Sequence, residues 1–297
     1  MLVRFGCLKN YRVLLKEIKA IFHDELKQYY PQEEIDAFFY EIIEHYLGLE
    51  RFVLVLQPNL TIIKEEEQPL FEALAQLKLE KPLQYVLGKA HFMDLELEVN
   101  EAVLIPRPET EELVHWILED WQTKSSRDIN ILDIGTGSGC IAIALAKSLS
   151  NAKVYALDVS EKALEVAQRN AAKNGVAVDF VHGDILQTTK VKFEQKFDII
   201  VSNPPYVREL EKNEIKKNVK DFEPHLALFV PDNNPLRFYK AILEFAKENL
   251  VDSGKMYFEI NQYVAMETKA LMDAHNFSEI ELRKDIFDNY RMLKGNK

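Results

Sequence analysis

The sequence predicts an α/β fold: a doubly wound, mostly parallel sheet closed by an antiparallel hairpin and preceded by a small all-helical N-terminal domain. Three observations carry this expectation. Apolar runs alternate with helical stretches from residue 129 onward, the last two runs follow each other without a helix, and the first 85 residues show helical periodicity alone. At 297 residues the chain also exceeds what one compact domain usually needs.

Within residues 1–85, Ile35, Phe38, Phe39, Ile42, Ile43, Tyr46 and Leu47 recur at the spacing that places them on one helical face. Pro31 suits the first turn of that helix and Gly48 its C-terminal stop. Weaker helical patterns run through Tyr11 to Leu26, Glu50 to Leu56 and Pro69 to Leu77. A helical bundle follows, with the aromatic stripe as its core. Over 86–105 the pattern changes. Phe92, Leu95, Leu97 and Val99 come close to alternation between Gly88 and Asn100, which predicts a β-hairpin linker.

Residues 106–297 form the third segment. Ile129 to Ile134, Val154 to Leu157, Val176 to Val181, Phe197 to Val201 and Lys255 to Ile260 read as strands. Cys140 to Leu149, Glu161 to Asn174 and Leu236 to Leu250 read as helices between them, so βαβ units are expected. Ser278 to Arg283 and Tyr290 to Leu293 then read as two strands of a terminal hairpin.

Charge and composition narrow the function classes. The net charge is -11, with 10 basic against 14 acidic residues (net -4) over 1–85 and a net of -7 over the remainder. Neither part looks like a module that grips nucleic acid mainly through its phosphates. No apolar run reaches eighteen residues, so no membrane span is expected, and Met1 to Asn10 is too short and interrupted for a signal peptide. Cys7 and Cys140 are the only cysteines, which argues against a disulfide framework and for a cytoplasmic protein. The seven histidines show no ligand-like spacing, so no metal is expected.

The chemistry concentrates where strands end. Gly135-Thr136-Gly137-Ser138-Gly139 follows the first strand of the sheet, preceded by Asp133. Alternating glycines let backbone approach a ligand without Cβ interference, and this spacing suits a ligand that lacks a pyrophosphate. Asp158, at the tip of the second strand, is placed to accept from both ribose hydroxyls; the bland reading makes it an N-cap for the helix near Ser160. Asp184 can accept from an adenine amino group, with Ile185 packing on the ring, or serve as a turn aspartate. After the fourth strand comes Asn203-Pro204-Pro205-Tyr206. Two prolines fix two φ angles and remove two donors, leaving a stiff loop of acceptors. The Asn203 side-chain oxygen and the Pro204 carbonyl can then take the two hydrogens of one NH₂ group, while Tyr206 offers an aromatic face to a flat group. Positioning such a nitrogen against an activated methyl donor needs no general base in advance.

A doubly wound sheet finished by an antiparallel hairpin is the layout of class I (Rossmann-like) methyltransferases, and S-adenosylmethionine is the expected cofactor. The chain resembles the HemK/PrmC family of protein-glutamine methyltransferases, which modify peptide chain release factors. The resemblance covers nearly the whole chain: Pro82-Leu-Gln-Tyr-Val-Leu-Gly88, Val103-Leu-Ile-Pro-Arg-Pro-Glu-Thr-Glu111, the glycine loop, Asn203 to Tyr206, and Phe222-Glu-Pro-His-Leu-Ala-Leu228. It implies that Gly135 to Gly139, Asp158, Asp184 and Ile185 hold the cofactor. It further implies that Asn203 to Tyr206 hold the glutamine of a Gly-Gly-Gln motif, and that Pro106 to Glu111 line the same cleft. Pro108 suits the first turn of a helix whose N-terminal dipole Glu109, Glu111 and Glu112 favour. The chain departs from the family pattern at Phe229-Val-Pro-Asp-Asn-Asn234, often glycine-rich, and at Glu259-Ile260-Asn261, usually Glu-Ile-Gly.

Two other classes fit parts of the pattern. Asn-Pro-Pro-Tyr is shared with adenine-amino methyltransferases, where the loop would hold a flipped base. Lys212, Lys216 and Lys220 at helical spacing, with Lys217 beside them, favour that reading, whereas Glu209, Glu211 and Glu214 among them favour a solvated, charge-balanced surface. A cofactor-binding scaffold without turnover is the other class, and the intact Asn203 to Tyr206 loop argues against it. The expected enzyme is a monomer that recognises the release factor through its helical N-terminal domain.

Overall fold

The computed structural model of the protein describes residues 12–121 and 128–297. Met1 to Asn10 and Cys7 lie outside them. The chain divides into two compact units, Met1–Leu87 and Gly88–Lys297.

In the first unit β1 (Arg12–Leu14) leads into α1 (Leu15–Leu26), α2 (Gln32–Leu47), the short α3 (Val53–Leu56), β2 (Thr61–Ile63), α4 (Lys64–Leu77) and α5 (Leu83–Leu87). Helices supply the core. Ile35, Phe39, Ile42 and Ile43 of α2 bury against Leu15, Ile18 and Phe22 of α1 and Leu70 and Leu74 of α4, with Phe22 and Phe39 edge to face at 5.3 Å. Pro31 stands as the N-cap of α2, and Gly48 closes it with a left-handed φ of 64°. Of the helical pattern from Tyr11 to Leu26, Tyr11 lies outside the described residues and helix covers only Leu15–Leu26. Val13 and Leu14 pair antiparallel with Ile62 and Thr61, because the β-branched Thr61-Ile62-Ile63 run offers a strand partner that helical periodicity does not reveal. Helix is likewise confined to Val53–Leu56 within the Glu50 to Leu56 pattern, and α4 starts five residues before Pro69, which its first turns accommodate.

The second unit opens with a hairpin, β3 (Lys89–Phe92) and β4 (Leu95–Glu98), followed by α6 (Pro108–Trp121). Next come β5 (Ile129–Ile134), α7 (Cys140–Ser148), β6 (Ala152–Asp158), α8 (Glu161–Asn174), β7 (Val178–His182) and β8 (Phe197–Ser202). Short pieces follow: β9 (Val207–Arg208), α9 (Lys217–Phe222), α10 (His225–Leu228) and β10 (Phe229–Val230). The chain ends with α11 (Arg237–Asn249), β11 (Leu250–Glu259), α12 (Ala265–Ala274), β12 (Ser278–Lys284) and β13 (Tyr290–Asn296).

Seven strands form one sheet in the order β12-β13-β11-β8-β5-β6-β7. Five adjacent strands, β11, β8, β5, β6 and β7, run parallel, and β13 inserts antiparallel between β11 and β12, giving the expected terminal hairpin. From β5 the chain winds outward through β6 and β7, then returns to β8 on the other side of β5. The switch point therefore lies between β5 and β8, where open sheets of this kind form their ligand crevice. The last paired rung there is Ile134 with Ser202, and the Ser202 hydroxyl also donates to the Ile134 carbonyl at 2.6 Å. Both sheet faces are covered: Ile131, Ile199 and Val201 sit in a cluster with Leu113 and Ile117 of α6 and Ile143 of α7, and Leu132, Ile200 and Phe258 in one with Ile242 and Phe245 of α11.

Candidate active site

Gly135 and Asn203 each follow one member of that last rung, so the glycine loop and the proline loop start side by side. Between them opens a cavity lined by Ile134, Gly135 and Gly137, by Leu157, Asp158 and Ser160, by Asp184 and Ile185, and by Asn203, Pro204 and Pro205. Ala102 to Leu104 and Pro224, Leu226 and Ala227 close other walls.

The glycine loop turns through positive φ at Gly135 (76°) and Gly137 (56°), and a Cβ at either would meet nothing, because the space in front of them is the cavity itself. Gly139 serves packing instead. A Cβ there would lie 2.9 Å from the Ile143 side chain and 3.1 Å from that of Ala167, so its absence lets α7 and α8 approach. Thr136 and Ser138 are buried and do not line the cavity. Thr136 donates to Asp133 Oδ2 at 2.6 Å beneath the loop, and the Ser138 carbonyl accepts from Asn170 of α8 at 2.9 Å. Burial pushes the Asp133 carboxyl up to about 7, and among the described residues its Oδ1 has no partner at hydrogen-bond geometry.

Asp158 is not the cap of α8. Ser160 is, accepting from Ala163 N at 3.2 Å. Asp158 instead takes the Gly137 N–H on Oδ2 and the Ser160 N–H on Oδ1, both at 2.9 Å, which fixes its carboxylate at the cavity edge with lone pairs to spare. Burial raises its pKa against those two backbone donors. Asp184 does cap a turn: its oxygens accept from Leu186 N and Gln187 Nε2, each at 2.9 Å, at the start of a 3₁₀ turn over Ile185–Lys190. It lines the cavity as well, with the buried Ile185 beside it.

Asn203 and Pro204 line the cavity, and among the described residues no donor meets the Asn203 Oδ1 or the Pro204 carbonyl. The Asn203 Nδ2 donates to Thr110 Oγ1 at 3.1 Å; Thr110 in turn donates to Glu259 Oε2 at 2.6 Å. Tyr206 is not a wall of the cavity. Its ring packs against the core on the α11 side of the sheet, and its hydroxyl donates to Glu259 Oε1 at 2.8 Å. The Tyr206 phenol is pushed well above its usual range, first by burial and then by the Glu259 charge.

Of Pro106 to Glu111, none lines the cavity; the preceding Ala102 to Leu104 do. Pro108 opens α6 as expected, yet its acids have further partners: Glu111 accepts from Met93 N at 2.8 Å and Glu112 from Ile286 N at 3.3 Å. The departures from the family pattern also find roles. Asn261 Nδ2 donates at 2.9 Å to both the Tyr206 carbonyl and Glu211 Oε2, bracing the proline loop from behind. Phe229 and Val230 pair with Val207 and Arg208, and Asp232 accepts from Leu210 N at 3.0 Å. Lys212, Lys216 and Lys220 share no helical face. Lys212 belongs to a 3₁₀ turn over Glu209–Asn213 and bridges Glu209, Lys216 caps α9, and Lys220 lies within it.

The sequence places Thr110 and Glu223 within longer motifs without giving either a role of its own, and it does not single out Asn170. Asn170 is fully buried, exchanges hydrogen bonds with the Glu98 backbone and reaches the Ser138 carbonyl, a polar residue on the core face of a helix. That breach of the apolar pattern was its visible signal.

The chain resembles known proteins over nearly its whole length. Residues 17–88 match the family model of the PrmC N-terminal domain, and residues 114–223 that of the Methyltransferase small domain. The chain is 52% identical over 285 residues to the Release factor glutamine methyltransferase of Flavobacterium psychrophilum, spanning 96% of this chain and 99% of that protein. It is 40% identical to the Release factor glutamine methyltransferase of Bacteroides thetaiotaomicron, spanning 95% and 100%. Among solved structures, a T. Thermophilus 16S rRNA methyltransferase in complex with AdoMet and guanosine aligns at a TM-score of 0.51 and 19% identity, over 70% of this chain and 49% of that one. That likeness is one of fold alone.

Proposed function

The chain belongs to the family of release factor glutamine methyltransferases, and on that premise we propose that it methylates the side-chain amide nitrogen of the Gly-Gly-Gln glutamine in peptide chain release factors, using S-adenosylmethionine. One observation carries the reading: the two free acceptors, Asn203 Oδ1 and the Pro204 carbonyl, stand beside the glycine loop across a single rung of the sheet.

The residues present fit the cofactor. Positive-φ glycines leave open space at Gly135 and Gly137, Asp158 is held with acceptor capacity for ribose hydroxyls, and Asp184 with Ile185 offers an acceptor and an apolar face for adenine. When bound, S-adenosylmethionine supplies an electrophilic methyl group. Asn203 and Pro204 accept the two hydrogens of the glutamine NH₂, orienting the nitrogen and opposing the resonance that withdraws its lone pair. The prolines hold these acceptors in place before substrate arrives, so little reorganisation is left for the reaction. The methylated nitrogen then releases a proton to water, and no side chain has to act as base beforehand.

The helical first unit would recognise the release factor beyond the glutamine. The enzyme would act as a cytoplasmic monomer without holding nucleic acid directly; among the described residues no helix is long and apolar enough to cross a membrane. The test is incubation with labelled cofactor and either release factor or unmethylated DNA, followed by mass spectrometry. One added methyl on the Gly-Gly-Gln glutamine is expected; label in DNA with none in the factor would overturn the proposal. If removal of residues 1–85 left a folded second unit equally active on the intact factor, the role given to the first unit would fall.

A further inference from the structure

Asn203 can hold an NH₂ group only if its amide presents oxygen, not nitrogen, to the cavity. An asparagine amide is nearly symmetric in shape, so something must choose between two orientations a half-turn apart. Donor and acceptor bookkeeping identifies what chooses. The Glu259 carboxylate has no hydrogen to give, so the hydroxyl at 2.6 Å from Oε2 must be the donor, and that hydroxyl is Thr110. Its single hydrogen is thereby spent, and Thr110 Oγ1 can only accept from the group 3.1 Å away, which must be Asn203 Nδ2. With nitrogen committed to Thr110, the amide oxygen is left for the cavity.

We infer that Thr110 and Glu259 are positioning residues that set the Asn203 amide in its substrate-accepting orientation; the inference rests on the role proposed above for Asn203. The arrangement is built for permanence. Thr110 and Glu259 are 2% and 1% exposed, and the second carboxylate oxygen is held by the Tyr206 hydroxyl from the far end of the same proline loop. Asn261, two residues beyond Glu259, secures the Tyr206 carbonyl. The end of β11 therefore grips the loop at both of its ends.

The charge on Glu259 is part of the device. A proton taken up on Oε2 would be donated to Thr110, whose own hydrogen would then turn to Asn203 and demand the amide oxygen there. The groups around Glu259 are Thr110 and Glu109 on α6, Tyr206 on the loop, Tyr239 of α11, which donates to its main-chain carbonyl at 3.1 Å, and Arg291 on β13. Burial pushes the carboxyl above the ordinary range, while the two hydroxyls and Arg291 pull it back.

The experiment compares Thr110→Val, Thr110→Ser, Glu259→Gln and Asn203→Ala in the full chain, with release factor as substrate and S-adenosylhomocysteine affinity as the check on folding. Valine keeps the shape of threonine and removes the hydroxyl, so kcat should fall on the order of 10²-fold with cofactor affinity within about twofold. Serine, which restores the hydroxyl, should recover most of that loss. The acid limb of the wild-type kcat profile should flatten in Glu259→Gln. Wild-type kcat in Thr110→Val, equal loss in Thr110→Ser, or an unchanged acid limb in Glu259→Gln would each overturn the inference while leaving the reading of Asn203 intact, provided that Asn203→Ala is inactive. An active Asn203→Ala enzyme would overturn both.

Discussion

Arg107 and Glu223, 116 residues apart, form an ion pair at 2.5 Å whose acid is buried to 3% exposure. The second Glu223 oxygen accepts from Ile105 N at 3.2 Å. Val103 and Leu104 on one side of the pair and Pro224, Leu226 and Ala227 on the other are walls of the cavity. Two sequence motifs that look unrelated are thus a single structural joint.

Removing the acid strands a cation and a backbone donor together. Glu223→Ala should lower unfolding free energy by about 2–4 kcal/mol in urea titrations and raise the KM for cofactor. Arg107→Ala should cost more, since it leaves the buried carboxylate with one backbone partner, whereas the guanidinium left by Glu223→Ala is 30% exposed. Equal costs for the two variants would contradict this ordering.

Asn203→Ala should reduce kcat by on the order of 10³-fold while calorimetric binding of S-adenosylhomocysteine changes little, because the lost oxygen meets substrate alone. Parallel losses of turnover and cofactor affinity would show that Asn203 supports the cofactor pocket instead.

Asp158→Ala removes the proposed ribose acceptor and frees the Gly137 N–H. With each hydrogen bond to a charged group contributing about 1.5–3 kcal/mol, cofactor Kd should rise at least about tenfold, with the thermal midpoint of the ligand-free protein moving far less. Unchanged Kd would remove Asp158 from the cofactor site.

The pH dependence of stability tests the buried Asp133. Its native pKa, raised to about 7 from an ordinary 3.8, means the native state keeps a proton that the unfolded chain releases. Stability from this group therefore falls as pH rises from about 4 to 7, at a slope approaching about 1.4 kcal/mol per pH unit, and levels off above. Chemical denaturation across that range should show a shallower decline in Asp133→Asn than in wild type. Matching slopes would mean that the carboxyl is ionised throughout.

Local pattern disclosed most of the sheet. Ile129–Ile134 and Glu161–Asn174 were legible to the residue, because one is a continuous apolar run and the other an amphipathic stretch bounded by Ser160 and Gly175. The helix Ala265–Ala274 was not singled out, since only Ala265, Thr268 and Met272 of it are buried and no clear stripe results. Strand β1 hid in a helical pattern because its partner lies some fifty residues away.

The site divides the same way. Glycines, strand-tip acids and the proline loop announce themselves in a few consecutive letters. Thr110, Glu259 and Asn203 meet across separations of 149 and 93 residues, and no window of sequence contains that contact. The sequence suggests Tyr206 as an aromatic platform for substrate; its hydroxyl goes to a buried carboxylate that only the folded sheet brings near.

The rung joining Ile134 to Ser202 also fixes a length. Neighbouring strands lie about 4.8 Å apart, and the glycine loop and the proline loop leave from that one rung. The distance between the starting points of the two loops is thus set by backbone hydrogen bonds and not by side chains. A side-chain replacement can therefore change what lines the cavity without moving the points from which the two loops depart, for as long as the sheet keeps its register.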